Sequence, residues 1–153
     1  MSDAQRRKVC TFYLGPHLFG IDVQSMREVL EHWVATPVPL LPPCVIGLIN
    51  LRGQLMMSID LRRRLGIAAR EAGGAQVSLV VHTSSEQVAF TVDGVGDVLE
   101  VSEDQFEPPP ETLQGESRDL ISGVYKLQTQ LILILDAARA ADPGEAMVQA
   151  SSN

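Results

Sequence analysis

Four prolines fall within the nine residues of "ATPVPLLPP", Ala35 to Pro43, and three more are consecutive in "EPPPE", Glu107 to Glu111. Each proline removes a backbone donor and fixes φ, so neither a regular helix nor a central strand passes through such stretches. The chain is cut into short pieces, and those pieces decide its class. Val38, Leu40 and Leu41 make the first stretch an ordered, extended connector, because they are available for burial.

Between the proline brakes the pieces read as strands. "VCTFYL" and "LFGID" flank the turn residues Gly15-Pro16-His17, a β-hairpin. "VIGLINL" and "QLMMSIDL" flank Arg52-Gly53, a residue pair ending in Gly and a second hairpin. "QVSLVVH" and "QVAFTV" flank a polar "TSSE" turn, and "VGDVLEV" follows Asp93-Gly94. "LISGVYKL" and "QLILILD" pair around Gln128-Thr129-Gln130. One segment has helical spacing: Met26, Val29, Leu30 and Trp33 fall at i, i+3, i+4 and i+7, with Asp22 as a cap before them. Leu61–Leu65 reads as one helical turn and "AARAAD" as a short C-terminal helix. Roughly ten short strands and one sizeable amphipathic helix predict a mainly all-β chain closed as barrels. The two halves share a rhythm without an aligned repeat.

A chain of 153 residues with 45% hydrophobic residues has enough material for one compact domain or two small units sharing a core. Its formal charge of -7 argues against non-specific binding to nucleic acid or anionic membrane, both of which need a basic surface. No stretch reaches the ~20 apolar residues of a membrane span, and no signal peptide is visible, so a cytoplasmic location is expected. Cys10 and Cys44 read as reduced, small hydrophobes. His17, His32 and His82 lack metal-ligand spacing. Neither Ser58 nor Ser122 sits in a GxSxG elbow, and "DGVGDV" lacks the third Gly and the helix of a dinucleotide fingerprint. No cofactor, metal or catalytic constellation emerges, and a non-enzymatic protein is expected. Arg62-Arg63-Arg64 reads as a solvated charge run. Arg52, set between two apolar strands at a tight turn, reads instead as an interface residue.

In order along the chain, "FYLGPHLFGIDVQSMREVL", "TPVPLLPPCVIGLINLRGQLMMSIDLRRRLG", "VAFTVDGVGDVLEV", "EPPP" and "ISGVYKLQTQLILILD" resemble the CheW family, the coupling proteins of bacterial chemotaxis arrays. The resemblance spans a single domain over 8–142, leaving 1–7 and 143–153 as flexible tails. It implies two five-stranded β-barrels side by side, no catalytic activity and no cofactor. It also implies two partners: the regulatory domain of a CheA-type histidine kinase, and the cytoplasmic tip of chemoreceptors. Carried onto this chain, the receptor groove would involve Met26, Glu28 and Val29 on the helix, Arg52 in the turn, and Val77 on the opposite wall. The kinase-facing surface would lie near Ile46 and Gly47. The family often has more conventional aliphatics and a proline where this chain has "QLMMSID", which suggests altered packing or partner choice. The alternative it raises is a regulator of a second, non-flagellar chemosensory system.

Overall fold

A computed structural model gives the fold, and it describes residues 5–68, 74, 76–84, 86–111 and 116–142. Among the described residues, eleven strands form two sheets: β1 (Arg6–Leu14), β2 (His17–Asp22), β3 (Met26–Leu30), β4 (Val45–Leu51), β5 (Gln54–Asp60), β6 (Val77–His82), β7 (Gln87–Val92), β8 (Gly94–Ser102), β9 (Phe106–Glu107), β10 (Ile121–Lys126) and β11 (Leu131–Leu135). The first sheet has the order β8-β1-β2-β11-β10-β9 and the second β3-β6-β7-β5-β4. The described residues also form three short α-helices, α1 (Leu61–Leu65), α2 (Glu116–Leu120) and α3 (Ala137–Ala140). The expected mainly-β class, the α1 turn and the C-terminal helix are all found. The two expected subdomains are found as two packed sheets. In the second, one Thr36–Leu48 bridge ties the chain leaving β3 back to β4. The expected tail after residue 142 lies outside the described residues. At the other end, β1 begins at Arg6, two residues inside the expected N-terminal tail.

The four hairpins form where turn chemistry placed them, and the connections between them exchange strands. Hairpin β1–β2 belongs to the first sheet, yet β3, which follows it, pairs with β6 in the second. Hairpin β6–β7 belongs to the second sheet, yet β8, which follows it, pairs with β1 in the first. Hairpins β4–β5 and β10–β11 then attach in parallel, β5 to β7 and β11 to β2. The two halves of the chain thus repeat one topology, which accounts for the shared rhythm of the sequence.

The core is a consequence of this exchange. Phe12, Leu14, Phe19 and Ile21 of the first sheet meet Ile59, Leu79, Val81 and Phe90 of the second in one buried cluster. The first sheet carries a second cluster on its other face, around Val9, Tyr125, Ile132 and Ile134. The second sheet carries Ile49, Met56, Val80 and Ala89 on its other face, covered by Leu30, Trp33, Ala35 and Leu51. Strands β6 and β7 are therefore buried on both sides, and "LVV" and "VAF" read as continuous apolar runs for that reason. Each large side chain buried this way contributes about 1.5–3 kcal/mol.

The expected helix over Met26–Trp33 is not formed. Asp22 does act as a cap, accepting from the Gln24 N–H at 2.9 Å, but it caps a single 3-10 turn, Val23–Ser25. The chain then enters β3. A bulge in β3 sets Met26 opposite Val81 and Val29 opposite Leu79, which puts residues three apart on one side. That is the spacing that imitates a helix.

Two of the three consecutive arginines, Arg62 and Arg64, are anchors, which overturns the solvated reading for them, while Arg63 is exposed. Asp60 caps α1, accepting from the N–H groups of Arg62 and Arg63. The Arg62 guanidinium then grips Asp93 in two parallel bonds, Nε to Oδ1 at 3.0 Å and Nη2 to Oδ2 at 2.6 Å, and donates to the Ala68 carbonyl at 2.6 Å. Asp93 also accepts from the Gly15 N–H at 2.6 Å. The pair thus joins α1, the β1–β2 turn and the β7–β8 junction. Asp93 raises the Arg62 pKa further above its ordinary value, so this cation is present at any working pH. Arg64 reaches the end of α3, donating to the carbonyls of Ala140, Arg139 and Asp142 at 3.2, 3.0 and 3.2 Å. Arg63 makes a 3.5 Å contact with the Pro43 carbonyl. Removing one member of a well-aligned, mostly buried pair strands the other. In urea denaturation, Arg62→Met is expected to cost about 2–3 kcal/mol, and Arg63→Met within about 0.5 kcal/mol of zero. Equal losses would contradict the assignment.

A second anchor lies in the first sheet. The buried Tyr125 hydroxyl donates to Glu103 at 2.6 Å and accepts from Arg7 at 3.4 Å, while Arg7 also pairs with Asp22. Burial, then the bond to Glu103, raise the Tyr125 pKa, with Arg7 opposing. The folded phenol therefore keeps its proton at pH values where the unfolded one, near 10, has released it. Stability is intact below about pH 10 and falls as pH rises toward the folded pKa. Between about pH 9 and pH 11, wild type is expected to lose more stability than Tyr125→Phe. Parallel losses would remove Tyr125 as the cause.

Candidate functional site

The residues singled out in the sequence lie on two surfaces of the second sheet. On β3, Met26 and Val29 point to the same side as their partners Val81 and Leu79, toward the first sheet. Because β3 is an edge strand, Val29 is 41% exposed there, and Met26 is half-buried. Glu28 stands opposite Val80 and points to the other side. Met26 and Val29 thus line the rim of the inter-sheet core, and Glu28 is on the sheet's far face.

The β4–β5 turn brings Arg52 to Glu28. Arg52 and Gly53 both have positive φ, 54° and 85°, the pattern of a two-residue type I′ hairpin turn. Asn50 accepts from the Gly53 N–H at 2.9 Å and holds the turn. Arg52 donates from Nη2 to Glu28 Oε1, so two residues 24 positions apart in sequence form one ion pair. The Arg52 side chain remains 70% exposed. A left-handed backbone costs a residue with a Cβ roughly 1–2 kcal/mol, and Asn is the residue such a turn prefers at this place. An exposed pair returns only about 0.2–1 kcal/mol. Turn stability therefore does not account for arginine here.

Val77 lies on the same sheet as Met26 and Val29, so it does not supply the opposite wall. It opens β6, opposite Val92, and packs half-buried against the inter-sheet core. On the first sheet, exposed apolar residues on the inter-sheet side are found on β8. Val95 and Val98 stand opposite Phe12 and Cys10, whose side chains join the inter-sheet core, yet they are 43% and 55% exposed. They are three apart because β8 also bulges there, with Thr11 Oγ1 donating to the Asp97 carbonyl at 2.6 Å. In the sequence, the bulge breaks the period-two pattern that would have marked them.

Ile46 and Gly47 lie on the other edge strand, β4. Ile46 points outward and is 41% exposed. Gly47 is buried: a Cβ there would come within 2.7 Å of the Thr36 carbonyl carbon, where the connector crosses β4. The residue type at 47 is set by this backbone approach. The connector adds further exposed apolar surface beside Ile46. Leu41 packs half-buried as expected, but Leu40 has φ 67° and is 86% exposed, and Val38 is exposed as well. Cys10 and Cys44 are half-buried, and burial pushes the Cys10 thiol pKa up, away from a reactive thiolate. Among the described residues, no helix is long and apolar enough to cross a membrane.

The chain is similar to several known proteins. A chemotaxis protein CheW of Rhizobium meliloti is 32% identical over 130 residues, covering 85% of this chain and 84% of that protein. One from Thermotoga maritima is 30% identical, with 89% of each chain covered. The crystal structure of the scaffolding protein TtCheW from Thermoanaerobacter tengcongensis superposes with a TM-score of 0.79 at 29% identity, covering 86% of this chain and 90% of that one. The model of the CheW-like domain matches residues 8–143, and the chain belongs to that family.

Proposed function

We propose that this protein is a non-enzymatic adaptor of chemotaxis signal transduction, coupling the cytoplasmic tips of chemoreceptors to the regulatory domain of a CheA-type histidine kinase. The observation that carries the reading is the presence of exposed apolar side chains on both edge strands of one sheet, β3 and β4. One surface includes Met26 and Val29 of β3, with the Glu28–Arg52 pair on that strand's other side, and the reading assigns Val95 and Val98 of β8 to it. The other combines Ile46 of β4 with Val38 and Leu40 of the connector. Aliphatics flanked by charge suit the amphipathic face of a helical receptor tip. An exposed, mostly aliphatic strand edge suits a folded domain. The formal charge of -7 speaks against nucleic acid as a partner. In this reading the protein works in the cytoplasm, recruited to membrane-associated receptor arrays by protein contacts.

Two substitutions separate the surfaces. Arg52→Ala is expected to weaken binding of a receptor-tip fragment roughly 30-fold, the scale of an interface arginine worth about 2 kcal/mol. Its melting temperature and circular dichroism should stay at wild type, because the pair it breaks is exposed. Ile46→Arg is expected to weaken binding of the kinase regulatory domain by about tenfold or more and to leave the receptor fragment bound. Calorimetric titration of both partners against both variants checks this. Wild-type protein that binds neither partner would sink the adaptor reading.

A further inference from the structure

The Arg62–Asp93 anchor has a counterpart place in the other half of the chain, and an alanine stands there instead of the arginine. Strand β5 lies parallel to β7, with Asp60 opposite Thr91, and runs into α1, which Asp60 caps. Strand β11 lies parallel to β2, with Ile134 opposite Gly20, and runs into α3, which Asp136 caps. Asp93 stands where the chain leaves β7 for β8, and Asp22 where it leaves β2 for β3. The second residue of α1 is Arg62, and the second residue of α3 is Ala138.

At this counterpart place there is a cavity of about 610 Å³. Its walls match the surroundings of Arg62. From α1, Arg62 reaches Asp93, whose carboxylate also holds the β1–β2 turn at Gly15. The cavity lies between Ala138 of α3, Asp22, and His82, Thr83 and Ser84 of the β6–β7 turn. Its volume is within the range of about 300–1,000 Å³ typical of ligand sites. Asp22 accepts from the Gln24 N–H at 2.9 Å and from Arg7 at 3.3 Å, and the second bond of Arg7 goes to Tyr125. A carboxylate has about four acceptor positions, so Asp22 has capacity for further donors. Asp136, the other carboxylate of the wall, is engaged by Arg139. A planar, multiply donating cation beside one carboxylate and several hydroxyls is the chemistry that fits, as Arg62 shows at the other place.

We propose that this cavity binds a guanidinium group, supplied by an arginine side chain of a partner protein that docks in trans as Arg62 docks in cis. Gln24, His82 and Ser84 are exposed, so the cavity is open to solvent. An ion pair with Asp22, itself 40% exposed, is too weak to retain a free guanidino compound. An arginine carried by a partner with further contacts is retained, and the formal charge of -7 favours partners with basic surfaces. The site stands independently of the adaptor reading.

Filling the cavity in cis tests its chemistry. Ala138→Arg is expected to raise the melting temperature by roughly 2–4 °C, and the uncharged Ala138→Met to give no such gain. In an Asp22→Asn background the gain from Ala138→Arg should vanish. A fall with Ala138→Arg, an equal gain with Ala138→Met, or a gain that survives Asp22→Asn would overturn the site. Binding in trans is read by titrating a capped Gly-Arg-Gly peptide into the isotope-labelled full chain. The amide signals of Asp22, Gln24 and Ser84 are expected to shift at millimolar peptide, and a citrulline peptide or the Ala138→Arg variant to show no shift. No shift with the arginine peptide, or equal shifts with citrulline, would overturn the proposal. Saturation at micromolar peptide would overturn the partner-borne source in favour of a free small molecule.

Discussion

Everything else in this molecule follows from the exchange of β3 and β8 between the sheets. Each hairpin sends its next strand to the other half's sheet, so neither sheet is built from one half of the chain. The two sheets then share the largest buried cluster, where Phe12 and Phe19 stack with ring centroids 5.7 Å apart. The exchanged strands end as edges of their sheets. Edge strands expose what interior strands bury, and so Val29, Val95 and Val98 remain available on the inter-sheet side. The same constraint that makes the core therefore makes the candidate receptor surface.

Charge serves this arrangement in two ways, according to burial. Arg62 and Asp93 are mostly buried, doubly bonded and placed where the β1–β2 turn meets the β7–β8 junction, the point at which β8 leaves for the other sheet. They hold the exchange in place. Arg52 and Glu28 are also paired, but at an exposed turn whose backbone disfavours arginine. Ten residues separate the two arginines; one is explained by the fold and the other is not.

Much of this was legible in the sequence, for local reasons. The Arg52-Gly53 pair specified a two-residue turn, and Gly15-Pro16-His17 marked the first hairpin. The family motifs also marked Glu28 and Arg52, which the structure joins. What was hidden depended on long-range pairing. A bulge in β3 spaced Met26 and Val29 as a helix would, and only pairing with β6 decides between the two. A bulge in β8 likewise concealed Val95 and Val98. The arginine run looked solvated because Asp93 and the end of α3 lie 31 and about 75 residues away. The exposure of Leu40 depended on a positive φ that no residue type announces.

The adaptor reading makes a demand beyond binding each partner: both surfaces must be able to hold their partners at the same time. The direct test is to saturate the protein with a receptor-tip fragment and then titrate in the kinase regulatory domain, following mass by analytical ultracentrifugation. The account predicts a ternary species with all three components, and an affinity for the kinase domain no weaker than that of the receptor-free protein. Displacement of the receptor fragment by the kinase domain would contradict it.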